Sequence, residues 1–197
     1  MSYRDHINSD KFKQLQKSVY DNAVKHGWHE ERLSTQHMMG MIITEVAEAI
    51  EADRVGKYAD STALSSIIKC QSESEYGLTE EWYESWFHVY YDEYIKGSVE
   101  EEFADIVIRL LDMAEELHGE YMKWEEYYNP IYLDYDFPEH AFYFIKNVLG
   151  SGTMNICVSV QYIFVWASIL NIDLMKHVEW KMKYNEFREY MHGGKKY

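Results

Sequence analysis

The chain has 197 residues, of which 47% are hydrophobic and 27% charged, and its formal net charge at pH 7 is −15. This composition is typical of a globular protein and excludes a disordered one. The acidic balance repels a phosphate backbone, so we do not expect a nucleic-acid-binding protein. The length predicts a single domain that covers residues 1–197.

The cysteine content and the N-terminal sequence indicate a cytoplasmic protein. Cys70 and Cys157 are too few for a disulfide framework, and the first residues, MSYRDHINSD, are too polar for a signal peptide. Residues 147–172 carry no charge, but their strongly apolar part covers only about 156–170. That part is too short to cross a bilayer, so it predicts a buried core helix and no membrane partner.

Apolar residues recur at helical spacing along the chain, and no stretch alternates as a strand would. Only two prolines and ten glycines interrupt this pattern. The sequence therefore predicts an all-α fold with eight helices, namely a short one after Asp60 and others at about 11–26, 35–54, 80–96, 99–118, 138–149, 154–170 and 173–190.

Capping residues define two of the predicted helix starts. Thr79 and Ser98 are expected N-caps, and Ser98 and Glu101 have the spacing of a capping box. Residues 70–78 and most of 120–138 are predicted to be irregular. We expect a four-helix core formed by the helices at about 11–26, 35–54, 99–118 and 154–170. The final helix and the tail are expected to fold over the site.

Two predicted helices carry paired carboxylates beside their apolar faces. Glu45 and Glu48 are three residues apart, as are Glu102 and Asp105, so each pair projects from one helical face. If the two helices pack together, four carboxylates share a partly buried pocket and repel one another. A hard divalent cation with oxygen ligands, Mg²⁺ or Mn²⁺, would relieve that repulsion.

Either pair alone also fits a solvated acidic face, because acidic residues are frequent in this chain. The neighbouring acids are interpreted in this way, namely Glu51, Asp53, Glu100, Glu101 and Asp112. Asp112 also lies three residues from Arg109 and is a candidate partner for its guanidinium.

The C-terminal region has the opposite charge. Residues 176–197 contain six Lys or Arg and three acidic residues, a local balance of +3. Lys181, Asn185 and Arg188 fall at i, i+4 and i+7 on one face of the final helix, where they would bind an anion such as phosphate. The same pattern also fits an ordinary basic helix end that is favoured by the helix dipole.

These blocks together resemble the MazG-like superfamily of all-α nucleoside triphosphate pyrophosphohydrolases. The resemblance covers about 35–55, 98–119 and 173–197 and is carried by the blocks EVAEAIEADR, EEFADIVIRLLDMAEELHG and KMKYNEFREYMHGGKK. It implies a catalytic Mg²⁺ site formed by Glu45, Glu48, Glu102 and Asp105. It implies contacts to the substrate phosphates from Lys181, Asn185, Arg188 and Lys195.

The resemblance also implies the reaction and the assembly. Members cleave a nucleotide between the α- and β-phosphates, releasing a nucleoside monophosphate and pyrophosphate, and form homodimers or homotetramers. This chain departs from compact members because 53 residues separate Glu48 from Glu102. We interpret residues of about 56–97 and 120–152 as helical insertions in the single domain.

The aromatic helix at about 80–96 leaves two interpretations open. Trp82, Trp86 or Tyr90 could stack on a nucleobase, as could Trp28, or the aromatic residues could form core or a subunit interface. The alternative function is therefore a non-catalytic helical protein that binds a nucleotide or a partner through this helix. A di-iron bundle is disfavoured, because Glu115-x-x-His118 supplies only one of the two motifs required.

Overall fold

The computed structural model describes residues 9–73, 79–124, 134–150 and 152–191. Within these ranges the chain forms α-helices and one short 3-10 turn, Gly119–Tyr121, without any strand. The predicted all-α class is therefore confirmed. The helices are α1 (Ser9–Lys25), α2 (Thr35–Arg54), α3 (Ser61–Glu73), α4 (Glu80–Tyr94), α5 (Val99–His118), α6 (Phe137–Val148), α7 (Thr153–Ile169) and α8 (Leu174–Glu186).

Helix α5 is the centre of the fold. It packs against α1, α2, α7 and α8, and most of its apolar residues are completely buried, including Phe103, Val107, Leu110 and Leu111. Within the described ranges, α1 and α2 each pack on α5 rather than on each other. The expected four-helix core is not confirmed. Helix α8, which was not expected in the core, packs against α5 as extensively as α1 does.

Helices α3 and α4 form a second, smaller apolar cluster against α8. Phe87 and Tyr91 of α4 are completely buried, and the Tyr91 ring stacks on Tyr184 of α8 with 4.3 Å between ring centroids. Trp82 and Trp86 lie on the outer side of α4 and are 59% and 41% exposed. The aromatic helix therefore has one core face and one exposed face.

Helix α7 is buried, as predicted for the apolar stretch near the C-terminus. Trp166 is inaccessible to solvent, and its ring lies 4.7 Å from Phe103 and 4.6 Å from Phe137, measured between centroids. In the described ranges no single helix is long and apolar enough to cross a membrane. Helices α7 and α8 reach that length and composition only as a pair, with a bend of 112° between them.

Two helix ends differ from the prediction. Helix α3 continues to Glu73, into the predicted loop, of which residues 74–78 lie outside the described ranges. Helix α8 ends at Glu186, four residues before the predicted end, and the N–H of Arg188 donates to the carbonyl of Asn185 in a turn. Arg188 therefore follows the helix instead of lying on its face.

The C-terminal segment turns back because it contacts the end of α1. The backbone N–H of Met191 donates to the carbonyl of His26 at 2.9 Å, and the Tyr190 ring covers Gly27. Gly27 has φ +84°, a backbone conformation that favours glycine, and a Cβ atom at this position would overlap the Tyr190 ring. Both the backbone conformation and the close approach of Tyr190 therefore require glycine here. This contact holds Arg188 near α1.

Candidate metal and anion site

A cavity of about 520 Å³ lies beside the polar side of α5 and is bordered by residues of α1, α2 and α8. This volume is within the range of small-molecule sites. The apolar face of α5 faces the core, so its remaining face presents Glu102, Asp105 and Arg109 to the cavity. The central helix of the fold is therefore also the main wall of the site.

Three carboxylates converge at this wall. Oxygens of Glu45, Glu48 and Glu102 all lie within 4.8 Å of one another, with Glu45 and Glu102 buried and Glu48 exposed. They meet because the i, i+3 spacing puts Glu45 and Glu48 on the face of α2 that packs against α5. The structure thus brings together three of the four carboxylates that the resemblance implies for Mg²⁺.

Burial and mutual repulsion both disfavour the ionised forms of Glu45 and Glu102. Burial, followed by the charges of Asp105, Glu101, Glu45 and Glu48, raises the pKa of Glu102 to about 9. Burial also raises the pKa of Glu45, although the Arg109 guanidinium acts in the opposite direction. A bound cation would remove this conflict by favouring the ionised carboxylates.

The residues fit a hard divalent cation. All three ligands are carboxylate oxygens, the type that Mg²⁺ and Mn²⁺ prefer. Oxygens on opposite sides of a six-coordinate Mg²⁺ are about 4.2 Å apart, so small side-chain rotations would let the three share one ion. In the described ranges, no other group of three or more His, Cys, Asp or Glu side chains is close enough to do so.

Asp105, the fourth expected ligand, is bound to a cation of the protein itself. Its Oδ2 lies 2.7 Å from Nζ of Lys181, which lies 2.6 Å from Oε1 of Glu101. Burial opposes the lysine charge, but the carboxylates of Asp105 and Glu101 outweigh it and raise the pKa of Lys181 above its ordinary value. Lys181, expected to contact phosphate, therefore connects α8 to α5.

The interpretation of Glu100 and Glu101 as solvated surface is wrong. Glu100 is 8% exposed and accepts a hydrogen bond from the backbone N–H of Ala59 at 2.8 Å. Glu101 is 4% exposed and accepts from the Gly97 N–H and from Lys181. Ser98 caps α5 through the Glu101 N–H, but the Glu101 side chain does not complete the capping box, because Lys181 and Gly97 hold it.

The proposed partner of Arg109 is also wrong. Nε of Arg109 lies 2.5 Å from Oε1 of Glu45, whereas Oδ1 of Asp112 lies 2.8 Å from Nε2 of His29. Hydrogen bonding to Asp112 outweighs burial and raises the pKa of His29. Both pairs join distant parts of the sequence. Arg109 is seven residues from Glu102 and so lies on the same helical face. This spacing is the sequence signal that could have identified Arg109 as a residue of the site.

The remaining anion-binding candidates have different positions. Arg188 lines the cavity, and its guanidinium lies 5.8 Å from the centroid of the Tyr184 ring. Asn185 also lines the cavity and is 9% exposed, and its Oδ1 accepts no hydrogen bond within the described part of the chain. Lys195 lies outside the described residues.

Trp28 is the tryptophan that lines the cavity. His26, two residues earlier in the chain, also lines the cavity, whereas Trp82 and Trp86 lie outside it. A nucleobase in the cavity would therefore meet Trp28 and not α4. Glu115 belongs to the single di-iron motif of the sequence. Its Oε2 accepts a hydrogen bond from Nε2 of Gln16 at 2.5 Å.

Sequence and structure comparisons do not assign the site. The chain gives no significant match to a protein-family model, to a curated protein or to a solved structure.

Proposed function

We propose that the protein is a Mg²⁺-dependent nucleoside triphosphate pyrophosphohydrolase. It would cleave between the α- and β-phosphates and release a nucleoside monophosphate and pyrophosphate, as a cytoplasmic housekeeping enzyme of the nucleotide pool. The observation that carries the proposal is the convergence of Glu45, Glu48 and Glu102 in a 520 Å³ cavity that Arg188 also lines. The cavity therefore combines oxygen ligands for a cation with a cationic side chain for phosphate.

The proposal assigns roles to the residues around the cavity. Glu45, Glu48 and Glu102 would hold the cation, Arg188 would bind phosphate oxygens and Trp28 would offer a face to the base. When bound, a divalent cation supplies polarisation of a phosphoryl oxygen and acidification of a water. Participation of Asp105 and Lys181 would require their ion pair to open.

The resemblance of the three sequence blocks supports the reaction class. The proposal includes a MazG-like bundle in which residues of about 56–97 and 120–152 are helical insertions. It also includes assembly into a homodimer or homotetramer.

The direct test is pyrophosphate release from a panel of nucleoside triphosphates that differ in base and sugar. We expect release with Mg²⁺ and none with a chelator, and the order of rates across the panel would identify the substrate. Absence of pyrophosphate release from every nucleotide of the panel, in a folded protein, would contradict the proposal.

Glu48→Gln tests the metal site itself. The substitution removes one exposed ligand charge without disturbing the core, so we expect loss of Mg²⁺-dependent hydrolysis with unchanged helicity by circular dichroism. Glu51→Gln is the matched control, because Glu51 is an exposed acid of the same helix whose Oε2 lies 2.6 Å from Arg54. Full turnover by Glu48→Gln would contradict the assignment.

A second candidate function is non-catalytic binding of a nucleotide or a partner through α4. The observation that favours it is the exposure of Trp82 and Trp86 on the outer side of that helix. The same panel separates the two functions. Quenching of tryptophan fluorescence by a nucleotide, without pyrophosphate release, would favour binding alone.

A further inference from the structure

Arg109 occupies an unusual position within the carboxylate group. It projects from α5 one turn beyond Asp105, and its Nε lies 2.5 Å from Oε1 of Glu45 on α2. Glu45 is 7% exposed at its side chain, whereas the Arg109 side chain is 38% exposed and lines the cavity. One end of this ion pair is therefore fixed in the wall and the other has room to move.

The pair compensates the charge of Glu45, and among the described residues Arg109 is the one cation that favours the ionised form of this carboxylate. Burial and the charges of Asp105 and Glu48 all disfavour ionised Glu45, and the arginine acts against them. An arginine in a protein stays charged, so its charge cannot be removed by deprotonation. A divalent cation that approaches Oε1 of Glu45 therefore meets a permanent positive charge at hydrogen-bonding distance from the same oxygen.

We propose that Arg109 is an internal counter-cation of the carboxylate group, which holds Glu45 until a divalent cation displaces it. The inference rests on the proposed metal site. When a divalent cation binds Glu45, the Arg109 guanidinium leaves that oxygen and turns into the cavity, where its charge faces an incoming anion. The protein thus has a lower metal affinity than its three carboxylates alone would give.

Calorimetric titration of Mn²⁺ into the full chain, at fixed pH and ionic strength, tests the competition. We expect Arg109→Gln to bind Mn²⁺ about tenfold more tightly than the natural protein, because it removes one competing charge. Arg109→Lys keeps that charge and should stay within about twofold of the natural affinity. Arg188→Gln is the control, since it removes a cavity cation that lies over Tyr184 and not on Glu45.

The outcomes separate this inference from the proposed function. Affinity of Arg109→Gln that is equal to or weaker than the natural affinity would overturn the inference, because Arg109 would then support the ligands instead of competing. An equal gain in Arg188→Gln would also overturn it. Absence of Mn²⁺ binding by every variant would overturn the metal site together with the inference.

A measurement on the natural protein does not depend on the folding of a variant. The Arg109 Nε–H gives its own proton–nitrogen resonance in NMR. We expect Mg²⁺ to shift this resonance and to speed its exchange with water, because the hydrogen bond to Glu45 is lost. A resonance that saturating Mg²⁺ leaves unchanged, while the Glu45 signals move, would overturn the displacement.

Discussion

At the residue scale, the ion pairs around the cavity divide into two kinds. Lys181 is buried between Glu101 and Asp105, whereas Arg109 remains partly exposed beside Glu45. A buried charge that is held on two sides cannot leave without exposing two unpaired carboxylates. A half-exposed guanidinium can leave, because water replaces the interaction that it loses.

The residues that sequence reasoning missed all have partners far along the chain. Glu101 binds a lysine 80 residues away, and Arg109 binds a glutamate 64 residues away. Helical spacing predicts which side chains share a face, but not which face of another helix lies opposite. The pairs Glu45–Glu48 and Glu102–Asp105 could be identified because each of them is local.

His177 predicts a pH dependence of stability. It is 6% exposed, its Nδ1 has no hydrogen-bond partner in the described ranges, and its ring meets Trp180 edge-on at 5.2 Å. Burial, with a smaller contribution from Lys176, lowers the pKa of His177 from its ordinary 6.5 to about 4. As pH falls below 6.5, the unfolded chain binds a proton at His177 that the folded chain does not bind. The contribution of neutral His177 to the free energy of unfolding is therefore complete above pH 6.5 and is lost as pH falls towards 4.

Urea unfolding of His177→Leu and the natural protein at two pH values measures this effect. Between pH 7 and pH 5, we expect the natural protein to lose about 2 kcal/mol more unfolding free energy than His177→Leu. Equal losses in the two proteins would show that the histidine is not held neutral.

At the element scale, capping predicted helix ends better than periodicity did. Helix α5 begins after Ser98 and ends before Gly119, as expected from these two residues. Helix α8 has no comparable stop signal in its sequence, and it ends early because Tyr190 and Met191 contact the end of α1. Such an end is set by tertiary contacts, which one sequence does not display.

Lys181 contributes to the attachment of α8 to α5 through its two ion pairs. Lys181→Met would leave Glu101 and Asp105 without their cation, and we expect it to lower the unfolding free energy by about 3 kcal/mol. Lys183→Met on the same helix is the control, because Lys183 is 39% exposed and lies 3.1 Å from Glu186. Its effect should stay below about 0.5 kcal/mol.

Urea unfolding followed by circular dichroism compares the two variants. Similar losses for Lys181→Met and Lys183→Met would contradict the structural role of the buried pair.

At the scale of the whole molecule, exposed apolar residues offer a surface for the proposed assembly. Phe142 and Leu149 are 64% and 61% exposed and lie seven residues apart, so they share one side of α6 and its cap. Large apolar side chains on one surface are typical of an interface. This surface was not evident from the sequence, because its residues fit the apolar pattern of a core helix equally well.

Light scattering after size exclusion tests the assembly. We expect a mass that is two or four times the 23.6 kDa of the chain. The double variant Phe142→Glu, Leu149→Glu should have the mass of a single chain. A natural protein of 23.6 kDa in solution would contradict the homo-oligomer.

Helix α5 supplies both the centre of the core and the main wall of the cavity. Its apolar residues contact four other helices, and its polar residues form ion pairs with Glu45 of α2 and Lys181 of α8. Few of its positions are therefore free to change during evolution. If the cavity binds a ligand, as we propose, new ligand preferences would arise most readily through mutations in α1, α2 and α8, which border the same cavity but carry less of the core.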